Sequence, residues 1–149
     1  MKPYLFEESQ YLDRPREKVF AFFSDAGNLS RVTPPWLDFE ILTPRPIAMA
    51  AGTLIDYRLR IHGLPIRWRT EITAWDPPFR FVDRQIRGPY RLWIHEHRFE
   101  DQASGTLMTD RVEYLPRGWV LAPLVNTFFV RGDVRRIFDY RRQNIPELI

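Results

Sequence analysis

The sequence contains no cysteine, and this absence removes several kinds of chemistry. Disulfide bonds, thiolate nucleophiles and cysteine-ligated zinc sites are all excluded. No apolar stretch approaches the roughly 20 residues that a membrane-spanning helix needs. Residues 1–10 also lack the basic start and apolar run of a secretory signal. We therefore expect a cytoplasmic bacterial protein that does not insert into a membrane.

The chain also lacks the short motifs by which many enzymes and nucleic-acid-binding proteins are known. It has no Gly-rich phosphate loop, no GxSxG turn and no HExxH pair. Its net charge of +3 is only mildly basic, and no helix-turn-helix or zinc-finger pattern accompanies it. We therefore expect no cofactor and no nucleic-acid partner. The sequence leaves the choice between a monomer and a homodimer open.

Aromatic side chains are what the sequence has in abundance. They make up 15% of the 149 residues, with 11 Phe, 6 Tyr and 5 Trp. A chain of this length can bury a sizeable core without covalent staples, so we expect a single domain over residues 1–149. Rings at this density fill a wide core or line an apolar ligand site.

The first third of the chain is typical of a strand followed by two short helices. Residues 4–12 mix aromatic and polar side chains as a strand does, and residues 28–33 fit a short second helix. Asp13 is a suitable N-cap for the first helix, Pro15 suits its first turn, and Gly27 stands where that helix would end.

From residue 39 the hydrophobic period changes to two, which is typical of strands. The strand segments are 39–43, 53–62, 66–75, 79–87, 91–102 and 106–115. After Pro116 the period returns to 3.6 and predicts a long helix over residues 120–145, bent near Gly132. Its apolar stripe matches the apolar face that such a meander must cover. The sequence therefore predicts an α+β fold, in which a curved antiparallel sheet of about seven strands wraps around the C-terminal helix and leaves an apolar cavity.

Two tight turns set the expected strand registers. A two-residue turn at Gly63-Leu64 places Leu59 opposite Trp68 and gathers the apolar side chains on one face. A two-residue turn at Ser104-Gly105 places Asp110 opposite Phe99.

The loop at Gly88–Tyr90 leaves two registers open. A three-residue loop pairs Asp83 with His95, and a two-residue loop breaks this pairing. Only the first alternative brings the carboxylate onto the same face as both histidines of the next strand, His95 and His97.

The outer face of the first hairpin is rich in arginine. The expected register places Arg60 opposite Arg67 and Arg58 opposite Arg69. Like charges opposed across two strands are unfavourable. Nearby acidic residues are expected to interleave with them as a solvated ladder of ion pairs. The alternative is a surface for an anionic or protein partner.

Polar residues stand among aromatic ones on one face of the strand over 91–102. They are His95 and His97, and the expected registers bring Asp83 and Asp110 near them. A carboxylate beside a histidine fixes its tautomer and raises its basicity, so such a pair can shuttle protons. The four residues form a self-satisfied structural network, orient a ligand, or act as acid and base in catalysis. Two histidines and a carboxylate can also hold a metal, but same-face histidine pairs are common on strands, and we expect no metal.

Three segments resemble one known superfamily. They run from Arg14 to Trp36, from Gly88 to Gly118 and from Val134 to Arg141, and are similar to the START-like, polyketide cyclase/dehydrase-like (SRPBCC) ligand-binding proteins. The resemblance implies the helix-grip fold of birch-pollen allergens and a single START-like ligand-binding domain. It is specific for fold and weak for function, because this superfamily includes lipid carriers, hormone receptors and cyclases.

These observations favour the binding of a small hydrophobic molecule, lipid-, polyketide- or isoprenoid-like, in an internal cavity. The residues expected to line the cavity are Tyr57, Leu59, Trp68, Phe81, Gln85, Trp93, His95, His97, Met108, Val112, Tyr114, Leu124 and Phe128. One alternative is a cyclase- or dehydratase-type enzyme, with His97 or His95 as general base assisted by Asp110 or Asp83. The other is a ligand-free interaction module that uses the arginine-rich face.

Overall fold

The computed structural model describes residues 2–118 and 130–149, and all elements below lie in these ranges. The strands are β1 (Tyr4–Leu12), β2 (Glu40–Ile41), β3 (Leu54–Ile61), β4 (Leu64–Asp76), β5 (Arg80–Arg87), β6 (Tyr90–Gln102) and β7 (Gly105–Pro116). The α-helices are α1 (Arg16–Phe23), α2 (Leu29–Val32) and α3 (Arg131–Leu148), with short 3₁₀ turns at Ala26–Asn28 and Pro35–Leu37. The predicted α+β class is confirmed.

All seven described strands form one antiparallel sheet in the order β1-β7-β6-β5-β4-β3-β2. Strands that follow one another in sequence pair as neighbours, except that β1 pairs with β7 at the far edge. Because side chains alternate along each strand, one face of the curved sheet collects the apolar residues. The helices cover that face, as the predicted helix-grip fold requires.

Helix α3 packs its buried stripe against the concave face of the sheet. Val134, Phe138, Arg141 and Ile145 are its buried residues and recur at helical spacing. The ring of Phe138 lies 4.8 Å from that of Phe6 on β1, measured between centroids. No helix in the described ranges is long and apolar enough to cross a membrane. The part of the predicted helix before residue 130 lies outside the described residues, so the bend near Gly132 stays a prediction.

The start of α1 differs from the expectation. Pro15, in extended conformation, occupies the N-cap position, and no side chain caps the helix. Asp13 lies two residues earlier and accepts a hydrogen bond from the hydroxyl of Ser104 at 3.2 Å. The helix also ends at Phe23, before Gly27. The N-cap prediction was therefore wrong, because the extended proline delays the first helical turn. The helix-end prediction was wrong as well, because Gly27 lies in the separate 3₁₀ turn, where its amide donates to the Asp25 side chain at 2.9 Å.

The β3–β4 register is shifted by two residues from the prediction. The turn lies at His62-Gly63, where both residues have positive φ, 50° and 79°. Such a pair is required by a type I′ turn, which matches the twist of a hairpin. Tyr57 therefore faces Trp68. The expected pairs Arg60–Arg67 and Arg58–Arg69 do not form, because Arg58 lies opposite Arg67 and Arg69 lies opposite Asp56.

The β6–β7 register is shifted by two residues as well. The turn lies at Ala103-Ser104, and Gly105 already belongs to β7. A Cβ on Gly105 would lie 2.3 Å from the carbonyl oxygen of Leu12, so glycine is needed there for close packing and not for the turn. The predicted pairing was wrong: Asp110 lies opposite His97.

The β5–β6 register follows the three-residue alternative. Asp83 pairs with His95, and Phe81 pairs with His97. The side chain of Gln85 closes the loop, since its amide nitrogen donates to the carbonyl of Tyr90 at 2.7 Å and its oxygen accepts from the Tyr90 amide at 3.1 Å.

Candidate functional site

Two adjoining pockets lie between the concave face of the sheet and the helices. The inner pocket has a volume of about 120 Å³ and lies over strands β3 to β6. The outer pocket has a volume of about 440 Å³ and lies near the β3–β4 turn. Leu29, Tyr57 and Trp93 line both pockets and form the boundary between them.

The outer pocket is mainly aromatic. Its walls include Trp36, Phe39, Trp68 and Tyr90, together with the shared ring of Trp93. Trp68 and Trp93 meet edge to face at 5.5 Å between centroids, which is a favourable geometry for aromatic pairs. The pocket therefore offers a large apolar surface held by ring–ring contacts.

The inner pocket is lined on one side by charged and polar residues. We call Asp83, His95, His97, Asp110 and Arg141 the polar cluster. All lie on β5, β6, β7 or α3, and all except the partly buried Asp83 are buried. Four of the five line the inner pocket, and Asp110 lies behind the histidines.

The two histidines bind the two carboxylates in a crossed arrangement. His95 stands beside Asp83 in the ladder, yet its Nε2 lies 2.7 Å from Oδ1 of Asp110. His97 stands beside Asp110, yet its Nε2 lies 2.8 Å from Oδ2 of Asp83. The two imidazole rings stack at 3.7 Å between centroids. Each histidine therefore has one carboxylate that orients its ring and fixes its tautomer.

The carboxylates of the polar cluster are held in their charged form. Burial would raise the pKa of Asp110, but the Arg141 charge, the His95 hydrogen bond and the nearby His97 hold that pKa well below its usual range. Burial would likewise raise the pKa of Asp83, but the His97 hydrogen bond and the charges of His95, His97 and Arg141 lower it. Both aspartates therefore stay ionised at neutral pH.

The histidines are shifted in opposite directions. Burial and the neighbouring charge of His97 lower the pKa of His95. Burial would also lower the pKa of His97, but hydrogen bonds and charges from Asp110 and Asp83 raise it. The site thus holds one imidazole that favours the neutral form and one that favours the protonated form, which is an arrangement suited to proton transfer.

Arg141 is the member of the polar cluster that sequence reasoning missed. Its guanidinium lies 5.0 Å from the Phe138 ring centroid and 5.8 Å from that of Phe23. Its Nη2 lies 3.6 Å from Oδ1 of Asp110. A signal was present, because Arg141 stands three residues after Phe138 and four before Ile145 on an otherwise apolar stripe. A charged residue at such a position must be paired or functional.

A metal is the other chemistry that these ligand types allow. Asp83, His95 and His97 offer ligand atoms that all lie within 4.8 Å of one another. However, the two rings stack with an angle of only 28° between their planes. Nitrogen lone pairs lie in the ring plane, so two nearly parallel rings cannot both point at one ion without turning. The observed geometry favours proton sharing over metal binding.

Seven of the thirteen predicted lining residues line at least one pocket. Phe81, His95 and His97 line the inner pocket, Leu59 and Trp68 line the outer pocket, and Tyr57 and Trp93 line both. Leu124 and Phe128 lie outside the described residues.

Four further predicted residues lie outside both pockets. Gln85 closes the β5–β6 loop, as described above. Met108 and Val112 are buried in the core with 2% and 0% exposure, and Tyr114 packs with Val112 against α3. They share the concave face of the sheet, but β7 lies next to the edge strand, where α1 and α3 fill the space.

The fold is that of a helix-grip protein, with two pockets between its sheet and its helices. The chain belongs to the family described as polyketide cyclase / dehydrase and lipid transport, whose model matches residues 12–139. No curated protein matches the chain.

Solved structures show the same fold at low sequence identity. Protein CV1439 from Chromobacterium violaceum is 13% identical with a TM-score of 0.74, over 97% of this chain and 96% of that one. Ginseng major latex-like protein 151 from Panax ginseng is 10% identical with a TM-score of 0.72, over 99% and 97%. A nucleoside-diphosphate sugar epimerase from Corynebacterium glutamicum is 26% identical with a TM-score of 0.66, over 95% of this chain but only 28% of that one.

Proposed function

We propose that the protein binds a small hydrophobic molecule, lipid-, polyketide- or isoprenoid-like, in the two pockets. The observation that carries the proposal is the junction, at Tyr57 and Trp93, of an aromatic outer pocket with an inner pocket that has charged side chains on one wall. The apolar body of the molecule would lie in the outer pocket and its polar end in the inner one. Membership of a family described by lipid transport and polyketide cyclisation supports this assignment.

Apolar contact would supply most of the affinity. Burial of apolar surface contributes about 25 cal/mol per Å², and the outer pocket exposes the rings of Trp68, Tyr90 and Trp93 to a ligand. The indole Nε1 of Trp68 is buried and has no hydrogen-bond partner among the described residues. Since a buried donor without a partner costs free energy, a ligand oxygen near Trp68 would add to the affinity.

Residues 29–37 form the wall through which a ligand would enter. Leu29 lines both pockets, and Thr33, Trp36 and Leu37 line the outer one. Trp36 is 48% exposed, and its ring meets that of Tyr140 on α3 edge to face at 5.7 Å. This segment can admit a ligand by separating from α3.

Native mass spectrometry of gently purified protein, followed by organic extraction, tests the proposal. We expect an extra mass that extracts into organic solvent and names the ligand class. Ile61→Trp should fill the outer pocket, which Ile61 lines, and reduce the bound fraction. Leu54→Trp is the matched control on the same strand, because Leu54 is 47% exposed. An apo mass, and no uptake from a panel of apolar molecules, would contradict ligand binding.

Acid–base catalysis is a second candidate, favoured by one observation. His97 lines the inner pocket with its Nε2 on the Asp83 carboxylate at 2.8 Å, so a histidine with raised basicity faces the ligand space. The extraction distinguishes the two functions. A carrier returns the added molecule unchanged after incubation, whereas a cyclase or dehydratase returns it with water lost or a ring formed.

A further inference from the structure

The guanidinium of Arg141 is a buried cation that makes no hydrogen bond among the described residues. We infer that the polar end of the ligand is an acid: the inner pocket takes the carboxylate of an amphipathic apolar acid, and Arg141 holds it. This inference rests on the proposed function, because it specifies the headgroup of the molecule bound in the same site.

The position of Arg141 is built by its surroundings. The residue is 7% exposed, and its side chain lines the inner pocket from α3. The rings of Phe138 and Phe23 lie against the guanidinium and exclude water from it. Both Nε and Nη2 are buried without a hydrogen-bond partner. Arginine carries five donors and stays charged at any physiological pH, so the guanidinium that lines the pocket has donors that no described residue satisfies.

Asp110 balances the charge of Arg141 but does not use its donors. The closest approach, 3.6 Å between Nη2 and Oδ1, is longer than a hydrogen bond. The same oxygen already lies 2.7 Å from Nε2 of His95. A second carboxylate in the pocket would satisfy the open donors with charge-assisted, paired hydrogen bonds.

The other charged groups near the inner pocket carry both signs, and each carboxylate among them is paired with a histidine. Asp83 is the only carboxylate among the described residues lining that pocket, and its oxygen is engaged by His97 at 2.8 Å. His95 and His97 are the remaining titratable groups of the polar cluster, and each adds positive charge when protonated. An incoming acid therefore meets a guanidinium that makes no hydrogen bond to a described residue, beside two carboxylates that are already paired.

The sizes of the two pockets agree with a headgroup and a body. The inner pocket, at about 120 Å³, suits a carboxylate with its first carbons, and the outer pocket, at about 440 Å³, suits an apolar chain or ring system. Tyr57 and Trp93 stand where the two parts would join. A carboxylate at one end of an apolar body thus matches both pockets at once.

Isothermal titration with decanoic acid and its methyl ester at neutral pH tests the inference. The two probes share the apolar chain and differ in the charged head. We expect the acid to bind at least about tenfold more tightly than the ester, as a charge-assisted hydrogen bond predicts. Arg141→Gln should abolish this preference and leave the affinity for the ester unchanged. Arg142→Gln is the matched control, because Arg142 is the next residue, is half exposed and bonds to Glu8 at 2.8 Å.

The outcomes separate this inference from the proposed function. Equal affinity for acid and ester, or a preference that survives Arg141→Gln, overturns the assignment to Arg141 and leaves apolar binding intact. If neither these probes nor any other apolar molecule binds, ligand binding itself fails. If Arg141→Gln does not fold, Arg141→Lys, which keeps the charge, takes its place. The comparison of acid with ester on the unaltered protein still shows whether the site prefers an acid.

Discussion

The two faces of the sheet carry the same kinds of charged residue in opposite surroundings. On the concave face the polar cluster is shielded by α3, and Asp110 and Arg141 have side chains only 6% and 8% exposed. On the convex face we define the outer ion pairs as Arg58–Glu40, Arg60–Asp38 and Arg69–Asp56, whose side chains are 40% exposed or more. Water and salt screen the outer pairs, whereas the polar cluster must satisfy itself or a ligand.

This comparison shows why charge on a strand does not by itself identify a site. Solvated ion pairs contribute little and tolerate change. A buried charge is costly unless it is paired, so a buried and incompletely paired group such as Arg141 points to function. The following predictions test the difference between the two faces, starting with the largest effect.

Removal of one charge from the polar cluster should produce the largest loss of stability. Asp110→Asn keeps the shape of the side chain but leaves the buried Arg141 without its carboxylate. We expect the free energy of unfolding to fall by about 3–5 kcal/mol, the usual effect of breaking a buried ion pair. Urea unfolding monitored by tryptophan fluorescence measures it. A loss as small as the one expected for Glu40→Gln on the convex face, less than about 1 kcal/mol, would show that the polar cluster is solvated.

The two histidines should affect stability with opposite dependence on pH. The pKa of His97 is raised in the folded protein, so its contribution is complete below about pH 6.5, the unfolded value, and is lost as pH rises through the folded pKa. The pKa of His95 is lowered, so its contribution is complete above about pH 6.5 and is lost as pH falls through the folded pKa.

Unfolding of His97→Gln and His95→Gln across this range measures both effects. The stability difference between the unaltered protein and His97→Gln should shrink as pH rises. The corresponding difference for His95→Gln should shrink as pH falls. Slopes of the same sign for both variants would contradict the crossed arrangement of histidines and carboxylates.

The smallest effect is expected on the convex face. Glu40→Gln makes the same chemical change as Asp110→Asn, but the Glu40 side chain is 56% exposed and bonds only to Arg58 among the described residues. We expect a loss of less than about 1 kcal/mol, and a smaller loss at high salt. Urea unfolding at low and high salt checks this. A loss that is large and independent of salt would show that the outer ion pairs are structural.

Strand periodicity predicted the faces of the sheet correctly but not the registers. In both mispredicted hairpins the error was two residues, which leaves every side chain on its own face. Hydrophobic pattern therefore cannot detect such a shift. Turn geometry decided the first hairpin, through the positive φ of His62 and Gly63. Packing decided the second, because Gly105 is needed beside Leu12.

The candidate site was predicted in part for the same reason. Alternation placed His95, His97 and Asp110 on the concave face, since these three alternate in step with their apolar neighbours. Asp83 joined them only if the loop at Gly88–Tyr90 had three residues, which the structure shows. The individual partners depended on register, so Asp110 was expected opposite Phe99 and is found opposite His97.

The sequence by itself determined the α+β class, the strands and the concave face, because these follow from local periodicity and turn residues. Only the tertiary structure decided which charged groups meet, because α3 lies far from β5 and β6 in sequence and its rotation against the sheet depends on packing. That rotation places Arg141 in the lining of the inner pocket. It also brings the ring of Phe138 to 5.5 Å from that of His95, measured between centroids. Packing of α3 therefore decides which part of the concave face is filled and which part stays open as a pocket.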